Sequence, residues 1–429
     1  MSALARYFKL LGKNVAGYDR TNTDLTKELI ALEIPIHFED SVEAIPTAFK
    51  NPEKTLIVYT PAISKAHMEY QYFVDKNFTI KKRAEVLGLL SKNTFTLAVA
   101  GTHGKTTTTA ILAHLLKESG VGVTAFLGGI SENYGSNLIC EGEEVMVVEA
   151  DEFDRSFLQL TPDIAAITSM DADHLDIYGQ AQSLEESFVQ FSSAVKKHLL
   201  VKKGLPLQGC TFGIEDDSDF SAHHIRIENG TYVFDLKTPE KDTIELRLNL
   251  PGRHNLLNAI TAFAMAMLYG SPTEALAKAL YTFKGVKRRF SYQLKTDEKI
   301  YIDDYAHHPA EIDALHQAIR EMHPHKKIAA VFQPHLYSRT RDFAQDFARS
   351  LAQFDSVLLL AIYPAREVPI EGVTSQWLLD MIPSENKKLI SKGDLIHEIL
   401  NTDAEVIVTV GAGDIGEEVP TIKNALRTV

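Results

Sequence analysis

A lysine followed by threonines, set just after glycines at the end of an apolar run, can hold a phosphate. Here the run reads Phe95-Thr-Leu-Ala-Val-Ala-Gly-Thr-His-Gly-Lys-Thr-Thr-Thr-Thr109. A strand leading into Gly101 and a helix starting near Lys105 would leave Gly101 and Gly104 open to close approach by an anion. The helix start adds partial positive charge and backbone N–H donors. The candidate phosphate-binding residues are therefore Gly101, Thr102, His103, Gly104, Lys105, Thr106 and Thr107. Lys105 would reach the outer phosphates, and the Thr106 hydroxyl is placed for Mg²⁺. Strict GxxxxGK[ST] spacing fails because Val99 stands at the first glycine position, so this is a shortened form of the loop. The bland alternative is a Gly-rich turn before an ordinary helix.

Two further apolar runs end in acidic or imidazole chemistry. One is Val145-Met-Val-Val148 followed by Glu149-Ala-Asp-Glu152, and the other is Ile164-Ala-Ala-Ile-Thr-Ser169 followed by Met170-Asp-Ala-Asp-His174. Ligands of open parallel sheets gather at the carboxyl ends of the strands. Glu149 suits a hard cation, and His174, a softer donor, suits a second Mg²⁺ or Mn²⁺. Alone, Glu149 would read as a solvated carboxylate and His174 as a surface histidine.

Other polar groups recur after apolar runs. Gly252-Arg-His-Asn-Leu-Leu-Asn258 opens a helix, and His254, Asn255 and Asn258 could read a nucleobase edge, with helix capping by Asn255 as the plain alternative. Asp303-Asp-Tyr-Ala-His-His-Pro309 places Pro309 at a first helical position. Adjacent His307 and His308 should diverge, which argues against a metal pair. His335, Arg339 and Arg341 form a basic cluster suited to a carboxylate, against the alternative of surface ion pairs. Gly411, Gly413 and Gly416 form a GxGxxG-like tail, weak on its own.

The elements that would carry these groups follow from periodicity. Short apolar runs at 55–59, 94–100, 145–148, 164–169, 299–303, 327–332, 356–362 and 405–410 read as buried strands. Helical patterns at 107–118, 309–321, 341–352 and 375–381 alternate with them, so the fold class is α/β with mostly parallel sheets. Three blocks are expected, at 1–88, 89–292 and 293–429. The stretch 210–251 alternates polar and apolar residues around Asn229-Gly230, and reads as an antiparallel extension of the middle block.

Composition narrows the function. Across 429 residues, 45% are hydrophobic and 24% charged, as in soluble globular proteins. The net charge of -13 argues against a nucleic-acid partner. The two cysteines, Cys140 and Cys210, form no CxxC pair and read as reduced, mostly buried thiols. With no apolar run long enough for a membrane and no signal core, a cytoplasmic protein is expected.

Taken in order, Gly101-Thr-His-Gly-Lys-Thr-Thr107, Glu149-Ala-Asp-Glu152, Asp173-His174, Gly252-Arg-His-Asn255, Arg288-Arg289-Phe290, Asp304-Tyr-Ala-His-His-Pro309 and Phe332-Gln-Pro-His335 with Ser338-Arg-Thr340 resemble the Mur ligases of bacterial cell-wall synthesis over essentially the whole chain. The last motif is most similar to the alanine-adding members. The resemblance implies a Rossmann-like N-terminal domain for a UDP-sugar, a central P-loop ATPase-like domain, and a C-terminal Rossmann-like domain that closes over both. It implies ATP and Mg²⁺, with UDP-N-acetylmuramate and L-alanine as substrates and an acyl phosphate between them. Lys105 would lie on the ATP phosphates, Thr106 and Glu149 on one metal and His174 on a second. His254, Asn255 and Asn258 would lie at the adenine. Arg289, Asp304 and His308 would contact the nucleotide, and His335 and Arg339 the muramoyl-alanine end. A tripeptide-recycling or folylpolyglutamate-type ligase, or a nucleotide-binding protein without ligase activity, are the alternatives. The family's first domain opens on a strand and a GIGGIGM turn. This chain opens on Met1-Ser-Ala-Leu-Ala-Arg-Tyr, which is similar to the helix after that turn, so that strand and its glycines are expected to be absent. Gly17-Tyr-Asp19 and Thr60-Pro-Ala-Ile63 remain of the pattern.

Overall fold

The computed structural model describes residues 1–171, 181–240, 243–365 and 367–427. The described residues form two compact units, one of Met1–Ile225, Val233–Arg247 and Leu257–Phe283, the other of Arg226–Tyr232, Leu248–Leu256 and Lys284–Val429.

The first unit begins with α1 (Ser2–Leu10), β1 (Gly17–Tyr18), α2 (Asp24–Ala31), β2 (Ile36–His37), β3 (Leu56–Tyr59), α3 (Met68–Asp75), β4 (Thr79–Lys82) and α4 (Arg83–Ser91). The N-terminal run read as a helix is one. Strands β1 and β2 pair in parallel, as do β3 and β4. The chain continues through β5 (Phe95–Ala100), α5 (Lys105–Glu118), β6 (Val123–Ser131), β7 (Ser136–Cys140), β8 (Val145–Glu149), β9 (Ile164–Ile167), α6 (Ala181–Ser193), β10 (His198–Lys202), β11 (Cys210–Ile214), β12 (Phe220–Glu228), β13 (Thr231–Lys237), β14 (Thr243–Leu248), α7 (Arg253–Tyr269) and α8 (Thr273–Thr282). One ten-stranded sheet takes the order β14-β13-β12-β11-β10-β9-β5-β8-β6-β7.

At its centre β5 pairs in parallel with β8 on one side and β9 on the other. Both registers matter for the site. Val99 lies opposite Glu149, and Ala100 opposite Ile167, so three carboxyl ends finish side by side. These strands read as continuous apolar runs because both faces are covered. Ala98, Ala100, Val148, Ala165 and Ile167 pack with Phe157, Phe188 and Phe191 in one buried cluster.

The extension at 210–251 is only partly as expected. Asn229 (φ 53°) and Gly230 (φ 78°) do form the tight turn between β12 and β13. However, β11 pairs in parallel with both β10 and β12. Short polar side chains explain the reversal: Asp216 accepts from Ser218 N at 3.0 Å and Asp219 accepts from Thr211 N at 2.7 Å, while Glu215 takes a left-handed φ of 54°. Together they loop the chain back within a few residues. The cysteines also depart from expectation, since both are free thiols but Cys140 is exposed at the end of β7.

The second unit contains β15 (Ser291–Lys295), β16 (Ile300–Asp304), α9 (Pro309–Met322), β17 (Ile328–Phe332), α10 (Tyr337–Asp342), α11 (Ala344–Leu351), β18 (Ser356–Leu359), α12 (Ser375–Met381), β19 (Lys387–Leu389), α13 (Leu395–Asn401), β20 (Val406–Val410) and α14 (Val419–Leu426). Its six-stranded sheet runs β15-β16-β20-β17-β18-β19, with only the β15–β16 pair antiparallel. The single helix expected over 341–352 is two, broken at Phe343 (φ -113°). Apolar clusters cover both faces of this sheet. No helix among the described residues is long and apolar enough to cross a membrane.

Candidate functional site

The loop between β5 and α5 is built by side chains from the end of β9. Thr168 Oγ1 donates to His103 O at 2.5 Å and lies 3.1 Å from Ala100 O. Ser169 Oγ accepts from His103 N at 2.8 Å and lies 2.9 Å from Thr102 Oγ1, which in turn accepts from Asp171 N at 3.1 Å. The first glycine is required by space as well as by its φ of 128°: a Cβ on Gly101 would fall 2.2 Å from Thr168 Oγ1. Gly104 (φ 82°) opens α5, whose first turn carries no acidic residue, so the helix keeps its positive end. A Cβ there would fall 2.4 Å from Asn258 Oδ1, so the Asn258 amide packs against the loop itself.

Two carboxylates from the end of β8 complete the cluster. Thr106 Oγ1 donates to Glu149 Oε1 at 3.0 Å. A Cβ on Gly128 in β6 would meet Glu149 Oε2 at 2.1 Å, so this strand leaves room for the Glu149 side chain. A hydroxyl and a carboxylate oxygen this close fit a hard divalent cation. Lys105 Nζ donates to both Glu152 oxygens at 2.9 and 2.7 Å, and to Gly101 O at 2.7 Å. The Lys105 side chain is 12% exposed and that of Glu152 0%. Burial disfavours charge on Lys105, yet Glu152, Asp151 and Glu149 outweigh it and hold the ammonium above its usual pKa. Burial pushes the Glu152 carboxyl up, opposed by the Lys105 ammonium on both its oxygens. Sequence reading noted Glu152 within the acidic run but gave it no role. Its signal was there, a carboxylate three residues beyond Glu149 on the strand end next to the lysine. Thr168 and Ser169 carried no such signal. His174, with Asp173, lies outside the described residues.

The other candidates lie in the second unit, where most are held by local bonds. Asp304 accepts from Phe290 N at 2.6 Å and Ala306 N at 2.7 Å, and burial pushes its carboxyl up to about 6. These bonds pin the 288–290 turn, in which Arg288 and Phe290 have φ of 63° and 46°. The Arg289 guanidinium lies 5.1 Å from the Tyr305 ring. His254 is exposed in the first turn of α7. Asn255 Nδ2 donates to Pro251 O at 2.6 Å at the start of α7, which favours a local role.

Adjacent His307 and His308 diverge as expected. His307 Nδ1 lies 3.0 Å from Tyr305 O, whereas His308 caps α9 with its ring against Phe343. His335 stacks on Tyr363 at 5.8 Å, and Arg339 Nη1 approaches His335 Nδ1 at 3.5 Å, so the structure brings these two together. Arg341 instead pairs with Asp342 at 2.8 Å. Glu367, absent from the sequence reading, accepts from Ser338 N at 3.0 Å and from its hydroxyl. The glycine tail has a packing role. A Cβ on Gly411 would meet Gln333 O at 2.6 Å, on Gly413 Gln333 Oε1 at 2.3 Å, and on Gly416 the Arg288 guanidinium at 2.5 Å.

Comparison with known proteins matches the chain to three family models. Residues 1–94 match the Mur ligase family, catalytic domain; residues 99–266 the Mur ligase middle domain; and residues 288–413 the Mur ligase, glutamate ligase domain. The UDP-N-acetylmuramate–L-alanine ligase of Flavobacterium psychrophilum is 61% identical over 99% of this chain and 95% of its own. That of Christiangramia forsetii is 62% identical, with the same coverage of 99% and 95%. The crystal structure of UDP-N-acetylmuramate-alanine ligase MurC from Thermotoga maritima superposes with a TM-score of 0.84 at 27% identity, covering 100% of this chain and 96% of that one. With three family models spanning most of its length in the order of its sheets, and relatives above 60% identity, the chain belongs to the Mur ligase family.

Proposed function

We propose that this protein joins L-alanine to the carboxylate of UDP-N-acetylmuramate at the expense of ATP, in the cytoplasm, as a step of peptidoglycan precursor synthesis. The observation that carries this reading is the 61% identity, over 99% of the chain, to a ligase of that name. The three blocks 1–88, 89–292 and 293–429 take the UDP-sugar, ATP and amino-acid roles.

The β5–α5 loop receives the ATP phosphates. Backbone N–H groups and the unneutralised start of α5 supply fixed positive potential, and Lys105 supplies charge. The sugar carboxylate attacks the γ-phosphorus in line, giving an acyl phosphate and ADP. The neutral amine of L-alanine then attacks the carbonyl carbon, the amide forms and phosphate leaves. Thr106 and Glu149 would hold Mg²⁺, or Mn²⁺ in its place, which neutralises charge developing on the phosphate oxygens. Among the described residues no group of three or more His, Cys, Asp or Glu side chains gathers for a metal, so other ligands would come from phosphate and water. His174 is proposed for a second cation. Asn258, packed on Gly104, lies at the loop; His254 and Asn255 are assigned with it to the nucleotide, as are Arg289, Asp304 and His308. His335 and Arg339 supply cationic donors for the new peptide end.

The test is phosphate release from ATP with Mg²⁺, with and without UDP-N-acetylmuramate and each of several amino acids. Release that requires both UDP-N-acetylmuramate and L-alanine is expected. Release with a different sugar-peptide or amino acid, and none with this pair, would overturn the assignment.

A further inference from the structure

The Lys105 ammonium has three N–H donors. Three oxygens lie within bonding distance: Gly101 O at 2.7 Å and the two Glu152 oxygens at 2.7 and 2.9 Å. Thr102 O is more distant, at 3.4 Å. The donors are therefore taken, and a phosphate oxygen can reach Nζ only by replacing one acceptor. Of the three, only the carboxylate oxygens compete with phosphate as anions.

We infer that Glu152 is a positioning residue that parks Lys105, competing with the nucleotide phosphate for its ammonium. This rests on reading the loop as the ATP site. Glu152 is 0% exposed and cannot follow the ammonium out to solvent. The chain just beyond it is held in place: Asp154 and Arg155 adopt left-handed φ values of 53° and 54°, and Lys82 Nζ bonds Asp154 Oδ2 at 2.6 Å. When phosphate draws Lys105 away, Glu152 loses part of its counter-charge in a buried place, and that loss opposes binding. In return, the lysine waits already desolvated and ordered beside the loop, so fewer side-chain states are lost on binding.

Removing the competitor should therefore tighten nucleotide binding, where a purely structural glutamate would weaken it. The experiment is calorimetric titration of ATP and ADP into the full-length wild type, Glu152→Gln, Lys105→Met and the double variant. Asp151→Asn serves as a charge control, since Asp151 acts on Lys105 through space without a hydrogen bond to it. Glu152→Gln should lower Kd about three- to tenfold, the factor recovered when a mostly parked group is released. The gain should vanish in the Lys105→Met background and be smaller for Asp151→Asn. Unchanged or weaker binding by folded Glu152→Gln overturns the inference, as does an equal gain without Lys105. Should Glu152→Gln fail to fold, Glu152→Asp keeps the charge but shortens its reach; tighter binding is expected, and unchanged or weaker binding overturns the inference. A wild type that binds neither nucleotide would bring down the proposed function as well. Binding that Lys105→Met weakens and Glu152→Gln leaves alone would remove this inference only.

Discussion

The hydroxyl of Thr106, in the first turn of α5, donates to Glu149 Oε1, at the end of β8, over 3.0 Å. The two residues are far apart in sequence, and the parallel pairing of β5 with β8 joins them. Glu149→Ala should lower turnover by about 10²–10³, the scale of losing one preorganised charge-stabilising group. The Mg²⁺ concentration for half-maximal phosphate release should rise as well. Near-normal turnover at unchanged Mg²⁺ would remove Glu149 from the metal site.

Gly128 gives a separate test of that position without touching the carboxylate. Its Cβ would lie 2.1 Å from Glu149 Oε2, at the far end of a flexible side chain. Gly128→Ala should therefore fold with little loss of stability, because Glu149 can swing aside. Turnover should fall at least about tenfold, as expected when a supporting contact of a metal ligand is lost. A melting point near wild type with full activity would show that the orientation of Glu149 is not limiting.

Lys105 and Glu152 separate stability from activity. Lys105→Ala should cut turnover by about 10²–10³ or more, since Lys105 supplies charge to the phosphates. It should also destabilise the fold by about 3 kcal/mol, because Glu152 is then buried without its cation. Replacing both, as Lys105→Met with Glu152→Leu, should restore the melting point but not turnover. Recovery of turnover in the double variant would exclude Lys105 from the chemistry.

A buried carboxyl of the second unit makes stability depend on pH. Asp304, pushed up to about 6 by burial, holds its proton more readily when folded, so its contribution is present at low pH and lost as pH rises through about 6. This is worth about 1–2 kcal/mol between pH 7 and 5. Relative to wild type, Asp304→Asn should lose stability on acidification from pH 7 to 5. Denaturant titrations of the two proteins at both pH values measure this, and parallel pH slopes would refute the shift.

The glycine tail offers a contrast. Gly416→Ala places a methyl 2.5 Å from the Arg288 guanidinium, which bonds Gly411 O at 2.5 Å and lies 3.4 Å from Asp303. The variant should melt lower by several degrees while its ATP dissociation constant stays as in wild type. A large loss of ATP affinity with an unchanged melting point would restore a nucleotide role to Gly411, Gly413 and Gly416.

Much of this protein is decided locally and could be read from the chain. The apolar runs at 94–100, 145–148 and 164–169 became parallel strands because buried β-sheet needs little beyond continuous apolar sequence. Gly101, Gly104 and Lys105 announced the loop because close backbone approach and a helix start are short-range demands. His307 and His308 diverge because successive side chains at a helix start must. Other features depended on residues brought together from afar. The pairing of Lys105 with Glu152, the bracing of the loop by Thr168 and Ser169, and the space that Gly128 leaves for Glu149 arise from strand order and register, which periodicity does not encode. The glycine tail matched a nucleotide-binding spacing, but it makes room for Gln333 and Arg288. The turn at 215–219, set by Asp216 and Asp219, reversed an expected strand direction. Sequence alone determined which side chains could do phosphate chemistry. Tertiary structure decided which oxygens they hold, because a hydrogen bond depends on distance in space and not on separation along the chain.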